Sequence, residues 1–433
     1  MAGTDGTADD ARWMHRAIAL APRGIGHVNP NPLVGAVIVR DGRLLGEGAH
    51  ERFGSLHAER NALADCARRG NDPAGATAYV TLEPCSHTGH QPPCVDALID
   101  ARIARVVVGS RDPNPLVNGR GVARLRAAGI HVDEDVLREE CDALNPVFLH
   151  YVTARTPYVV AKWAMSADGR IACASGDARW VTGPLARAHG HALRNRLAAV
   201  MVGAGTVAAD DPLLTCRLEG GRNPLRVVCD ARLATVTPSR AIVASAAAGE
   251  APLLVACACD VDGDDAARDR AEALRAHGVQ VVSLPGADGL VDLPALMAHL
   301  AAHEVDSVLL EGGARLHAAA LAAGVVQEVV AYVAPKVIGG AAAPGPVAGA
   351  GATRMTEAIP LGPAHVAQLG PDVRVSWRAG ATDVARELPC VSDGDLGPVW
   401  ERARAALTTG AAGRTSGERE GVSTTSSQAR GGE

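Results

Sequence analysis

The sequence predicts an α/β protein of two domains. Three observations carry that reading. Short apolar runs alternate with helical patterns along most of the chain. The alternation halts before Pro157 and then begins again. The 433 residues correspond to about two to three domains at roughly 150 residues each.

The elements follow in order. A first helix should run from Asp9 or Asp10 to about residue 21, because Trp13, Met14, Ala17, Ile18 and Leu20 keep near a 3.6 period behind a capping Asp. Residues 34–39 read as a buried strand, Asp41-Gly42 as a hairpin turn and residues 44–48 as the partner strand. A helix is expected over 56–69, with Ser55 as N-cap and Gly70 as its stop. Strand 77–82, helix 93–101, strand 106–109, helix 122–129 and strand 130–132 complete a layered domain with a largely parallel sheet. Residues 137–155 read as a helix and connector.

In the second domain, strands are expected at 158–165, 200–202, 225–229, 253–256, 279–283, 307–310 and 328–333. Helices fill the gaps at 184–197, 264–276, 293–302 and 314–324. After Ala379 the composition changes. Residues 410–433 have almost no apolar side chains and should stay disordered, while 399–407 could form a short helix.

The net charge of −6 argues against a nucleic-acid grip, which needs a basic face. Ten cysteines are too sparse for a disulfide scaffold. The N-terminal residues lack the apolar segment of a secretory signal, and no apolar stretch reaches about 18 residues, so a cytoplasmic protein without a membrane span is expected. Only two lysines occur, Lys162 and Lys336.

His57-Ala58-Glu59, then Glu83-Pro84-Cys85, then Pro93-Cys94 form an H-x-E and two-cysteine constellation. One imidazole and two thiolates suit zinc with an open fourth position for water. Glu59, two residues from His57, is the candidate proton shuttle. Zinc deaminases of nucleobases carry such a set, but with cysteines two residues apart rather than the eight between Cys85 and Cys94. Cys66, Cys141, Cys257 and Cys259 lack such company and read as small apolar residues. Gly203-Ala204-Gly205 begins a weak dinucleotide fingerprint that Asp210-Asp211-Pro212 interrupts. Gly312-Gly313 precedes a helix and would suit a phosphate.

These segments resemble the bifunctional deaminase/reductase family of riboflavin biosynthesis. The resemblance rests on Asn29-Pro30-Asn31-Pro32, His57-Ala58-Glu59, Thr81 through His87, Pro93-Cys94 with its wide spacing, and Asp112-Pro113-Asn114-Pro115. It continues with Lys162, Met165 through Arg170, Trp180-Val181-Thr182, Thr206 through Arg217, Glu311-Gly312-Gly313 and Ala334-Pro335-Lys336. It implies a cytidine-deaminase-like three-layer domain over residues 1–151, a dihydrofolate-reductase-like domain over 157–379 and a largely disordered tail over 380–433.

It further implies one zinc per chain on His57, Cys85 and Cys94, proton transfer by Glu59, and substrate contacts from Asn31, His50 and His87. In the second domain it implies NADPH contacts from Ala164, Trp180, Thr206, Asp210 and Gly313. Substrate contacts would come from Lys162, Ala178, Arg194, Leu214, Arg217 and Glu311, with Arg194 and Arg217 forming a phosphate clamp. The substrate would be a phosphorylated ribosylaminopyrimidine, and the chain a dimer or larger homo-oligomer with neither nucleic acid nor membrane as partner. Family members usually carry Lys or Arg where His90 stands, Thr where Gln91 stands and often Ser where Ala178 stands.

Overall fold

The computed structural model describes residues 5–89, 91–114, 117–379 and 390–412. His90 lies outside them, as do residues 380–389 and 413–433 of the expected tail.

Helix α1 (Asp5–Leu20) buries Trp13, Met14, Ala17 and Leu20 on one side of the first sheet. Strands β1 (Gly35–Arg40) and β2 (Arg43–Ala49) form the expected hairpin. Asp41 and Gly42 both take positive φ, 52° and 68°, as a tight two-residue hairpin turn demands. Then come α2 (Ala58–Arg68), β3 (Thr77–Leu82), α3 (Cys94–Asp100), β4 (Arg105–Ser110), α4 (Arg120–Ala127) and β5 (His131–Asp133). The strand order is β2-β1-β3-β4-β5. Buried side chains of α2, α3 and α4 cover the other side of the sheet, giving the three layers expected.

The sheet is mixed, not largely parallel. The crossover through α2 passes over β1, which the hairpin has already reversed, so β1 lies antiparallel to both neighbours. Ser55 does not cap α2 either. Its hydroxyl bonds the Arg52 carbonyl at 2.7 Å, and His57 occupies the N-cap position. Residues 137–155 split into α5 (Arg138–Leu144) and α6 (Pro146–Ala154), because Pro146 cannot continue a helix.

Among the described residues, the second sheet has nine strands. In chain order the elements are β6 (Tyr158–Ser166), α7 (Pro184–Arg196), β7 (Ala199–Gly203), α8 (Ala204–Asp210), β8 (Leu225–Cys229), α9 (Ala241–Ala247), β9 (Leu253–Cys257), α10 (Asp265–Arg275) and β10 (Gln280–Ser283). They continue with α11 (Leu293–Ala302), β11 (Ser307–Gly312), α12 (Ala314–Ala322), β12 (Glu328–Ala334), β13 (His365–Leu369), β14 (Asp372–Arg378) and α13 (Gly397–Ala412). The order is β10-β9-β8-β7-β11-β6-β12-β14-β13, parallel except for the β14 and β13 pairings.

Two findings depart from the sequence reading. Strands β13 and β14 were not expected, because β14 inverts the usual alternation. Its buried face carries Asp372, Arg374, Ser376 and Arg378, while Val373, Val375 and Trp377 are half-buried. The region assigned to a disordered tail also contains order. Cys390, Val391, Leu396 and Trp400 are buried, and the helix expected over 399–407 runs from Gly397 to Ala412. Burial of these apolar groups offsets the ordering entropy.

The two sheets are joined by polar contacts. Asn29 donates to both carboxylate oxygens of buried Asp306, at 3.0 and 2.8 Å. The Tyr151 hydroxyl donates to the Ala301 carbonyl at 3.0 Å. Among the described residues, no helix is long and apolar enough to cross a membrane.

Candidate active sites

The first site opens at α2. In β2, Gly46 and Gly48 let that helix sit close: a Cβ at Gly48 would lie 2.5 Å from the Ala62 nitrogen. The approach sets His57 at the N-cap and Glu59 in the first turn, buried. Cys85 follows β3, and Cys94 begins α3. The His57 Nδ1 lies 3.6 Å from the Cys85 Sγ and 3.4 Å from the Cys94 Sγ.

Tetrahedral zinc with ordinary Zn–N and Zn–S bonds separates such donors by about 3.6 Å, so this donor set fits the ion. The Cys94 backbone N–H points at the Cys85 Sγ, 3.3 Å away. Hydrogen bonds from Cys94 and His57, against the opposing effect of burial, bring the Cys85 thiol well below its ordinary value. Burial pushes the Glu59 carboxyl up, and the Cys85 charge adds to it. A carboxyl raised in this way holds a proton more readily than a free carboxylate, as a proton shuttle requires.

A cavity of about 270 Å³ adjoins these groups. Asn31, His50 and His87 line it, as expected. The Asn31 amide donates to His50 Nε2 at 3.1 Å, so the opposite nitrogen, Nδ1, donates to the Leu56 carbonyl, also at 3.1 Å. Burial lowers the His50 pKa, and a ring that accepts at Nε2 while donating at Nδ1 is neutral.

The second site lies at the C-terminal ends of parallel strands. Lys162 on β6 and Glu311 on β11 follow the paired residues Ala161 and Leu310. Arg194 on α7 grips Glu311 with Nε and Nη2, at 2.6 and 2.8 Å, and its Nη1 donates to the Thr215 carbonyl at 2.9 Å. The expected phosphate clamp is therefore not formed by two free arginines. The Arg194 fork is taken up by Glu311, and Arg217 is the more exposed cation, its Nε donating to His191 Nε2 at 3.2 Å.

Burial alone would raise the Glu311 carboxyl. The charges of Arg194 and Lys162 overcome it and bring it down to about 2. Burial lowers the Lys162 ammonium pKa, with Glu311 opposing.

Gly312 has a φ of 132°, open only to glycine, and a Cβ at Gly313 would lie 3.5 Å from Thr206 Oγ1. This bare cradle between β11 and α8 fits a dinucleotide approaching by its backbone.

A family model described as the RibD C-terminal domain matches residues 157–375, and one described as the cytidine and deoxycytidylate deaminase zinc-binding region matches residues 7–110. A riboflavin biosynthesis protein RibD from Actinobacillus pleuropneumoniae is 44% identical over 371 residues, covering 86% of this chain and 96% of that protein. The chain belongs to the RibD family. The Escherichia coli RibD is 41% identical over 343 residues, covering 76% of this chain and 89% of that protein. Among solved structures, a Thermotoga maritima diaminohydroxyphosphoribosylaminopyrimidine deaminase/5-amino-6-(5-phosphoribosylamino)uracil reductase superposes with a TM-score of 0.75 at 36% identity, covering 86% of this chain and 99% of that one. An Acinetobacter baumannii RibD gives 0.76 at 36% identity, covering 87% of this chain and all of that one.

Within this RibD-family fold the expected residues divide. His57, Glu59, Cys85, Asn31, His50 and His87 line one cavity, and buried Cys94 clusters with His57 and Cys85. Lys162, Arg194 and Glu311 form one electrostatic group, with Arg217 joined to it through His191. Leu214 is buried, with a positive φ of 55°, which leaves only its backbone for a ligand. Trp180 is 58% exposed and stacks under Arg187, while Ala178 and Asp210 are exposed.

Three residues at or beside the first site were given no role from sequence. Asp112 lines the cavity, its carboxyl raised to about 6 by burial. Glu83 accepts the N–H groups of Gly119 and Gly121, both at 3.0 Å, and so ties the start of α4 to the cysteine loop. Glu304 reaches the cavity from the turn between α11 and β11, a contact that no local spacing could announce.

Proposed function

We propose that the chain performs two successive steps of riboflavin biosynthesis. The first is hydrolytic deamination of 2,5-diamino-6-ribosylamino-4(3H)-pyrimidinone 5′-phosphate, with zinc held by His57, Cys85 and Cys94. The second is reduction of the ribosylamino group to ribitylamino with NADPH. The observation that carries the reading is the His57–Cys85–Cys94 cluster with buried Glu59 beside it in a ligand-sized cavity.

What zinc supplies when bound is Lewis acidity, which makes water acidic enough to attack at neutral pH. Glu59 takes the proton from the attacking water and returns it to the departing amine. The C–N bond breaks as the C–O bond forms, and ammonia leaves. Neutral His50 and the Asn31 amide orient the pyrimidine edge, and His87 sits at the mouth. NADPH, when bound, would supply a hydride, and Ala164, Trp180, Thr206, Asp210 and Gly313 would hold the cofactor. In the second step C1 of the opened sugar accepts that hydride. Lys162 provides the accompanying proton, and Glu311, fixed by Arg194, holds the ammonium in place. Arg217 faces the phosphate, and Leu214 contributes its backbone.

The natural setting is the cytoplasm, and the working unit is a homo-oligomer, testable by sedimentation. The activity is tested by mass spectrometry of product from zinc-loaded protein given the diaminopyrimidinone. Amine-to-oxygen exchange without NADPH, and two further hydrogens with it, support the reading. No exchange overturns it.

A further inference from the structure

We propose that residues 390–400, which follow the part of the chain matching the reductase-domain model, are a working part of the reductase site: they position Tyr332 and, through it, Lys162. The proposal rests on the reading of Lys162 given above.

Strand β14 is inverted, with its polar side chains turned inward. Its buried face carries polar groups that need partners, since an unpaired buried donor or acceptor costs about 1–3 kcal/mol. Residues 390–400 supply them for Arg374 and Ser376, whereas Asp372 accepts the Gly183 N–H at 2.7 Å and Arg378 donates to the Tyr158 hydroxyl. Arg374 donates to the Ser392 carbonyl and the Asp393 carboxylate. The Ser376 hydroxyl donates to the same carboxylate at 2.6 Å. The Val391 and Ser392 N–H groups donate to buried Glu328, at 2.7 and 3.0 Å.

From Arg374 the network runs inward. Its Nη1 donates to His189 Nε2 at 3.0 Å. A guanidinium can only donate, so that nitrogen accepts, and the His189 proton resides on Nδ1. The Nδ1–H in turn donates to the Tyr332 hydroxyl oxygen at 2.7 Å. Trp400 closes edge-on against the His189 ring, with centroids 5.0 Å apart. The Tyr332 ring, held at its hydroxyl, lies beneath the Lys162 ammonium, 5.5 Å from Nζ to the centroid.

Each link has its donors and acceptors assigned. The segment therefore fixes Arg374, Arg374 fixes His189, and His189 fixes the ring on which the Lys162 ammonium rests. Tyr332 and His189 are positioning residues. They act on the reaction through Lys162.

The test uses the full chain and four variants: Tyr332→Phe, which keeps the ring and loses the tether, Asp393→Ala, Trp400→Ala and Lys162→Arg. Reductase and deaminase activities are measured separately. Because the chain has only two lysines, amine labelling read by mass spectrometry reports Lys162 directly, with Lys336 as internal reference. The expected result for the first three variants is a reductase kcat lowered about tenfold, KM for NADPH within about twofold, and a Lys162-to-Lys336 labelling ratio changed about threefold, the size a small misplacement of a reacting group produces. Deaminase activity stays native.

Native reductase kcat and an unchanged labelling ratio in Tyr332→Phe and Asp393→Ala would overturn the positioning role, even if the melting temperature fell. Native reductase activity in Lys162→Arg would overturn the site reading beneath it. Loss of both activities in step would overturn the proposal by showing general damage to the fold.

Discussion

Arg194 donates to both carboxylate oxygens of Glu311, from Nε at 2.6 Å and Nη2 at 2.8 Å, across the floor of the reductase site. A planar fork meets a planar carboxylate, a match that lysine cannot reproduce. Arg194→Lys should lower reductase kcat by about 10–100-fold, because Glu311 and the Thr215 carbonyl both lose their fixed donor. Deaminase activity should not change. Separate assays of the two half-reactions check this, and an unchanged reductase would contradict it.

The same pair gives an acid limb to stability. The Glu311 carboxyl lies at about 2 in the fold, below its ordinary 4.5. Its contribution is complete above the ordinary value and is lost as pH falls through about 2. At roughly 1.4 kcal/mol per pH unit the contribution is on the order of 3 kcal/mol. The melting temperature of Glu311→Gln should lie below native at pH 7, and the gap should narrow as pH falls from about 4.5 towards 2. A gap that stays constant over that window would contradict the assignment.

Gly48 carries a prediction from packing to function. A Cβ there would lie 2.5 Å from the Ala62 nitrogen and 2.7 Å from the Ala58 carbonyl oxygen. Gly48→Ala must push α2 away from β2, carrying His57 and Glu59 with it. A loss of about 1–3 kcal/mol in stability is expected from such overpacking. Zinc affinity and deaminase kcat should fall together while reductase activity persists. Calorimetry and zinc titration read the two effects.

The link between the sheets can be cut at one residue. Asn29 spends its amide on buried Asp306, and Asn31, two residues on, reaches His50 in the deaminase cavity. Asn29→Ala leaves the Asp306 carboxylate with fewer donors, at a cost of about 1–3 kcal/mol. It should raise deaminase KM more than it lowers kcat if, as proposed, Asn31 orients substrate and leaves proton transfer to Glu59. A fall in kcat alone would point to a different route of damage.

Much of the first site was legible in the sequence. His57, Glu59, Cys85 and Cys94 announce themselves by type and spacing, and the fold brings them together. Lys162 stands out because lysine is so scarce in this chain. The partner of Arg194 was not legible. Nothing in the spacing of residues 194 and 311 tells that they meet, because the contact depends on β11 inserting between β7 and β6. Strand β14 was hidden for a different reason. Its buried face is polar, and the partners of Arg374 and Ser376 lie in a later segment whose composition suggests disorder. Glu304 and Asp306 act on the deaminase side from the second domain, which no local pattern reports.

The central claim is that one chain holds two separable activities, with deamination depending on Glu59. The most direct measurement uses Glu59→Gln with zinc bound, checked by metal analysis. Given the diaminopyrimidinone, it should release ammonia at least about 10²-fold more slowly than native, as removal of a positioned proton carrier implies. Given the already deaminated pyrimidine and NADPH, it should reduce it at the native rate. Ammonia release at the native rate, or loss of reduction in parallel, would contradict the account.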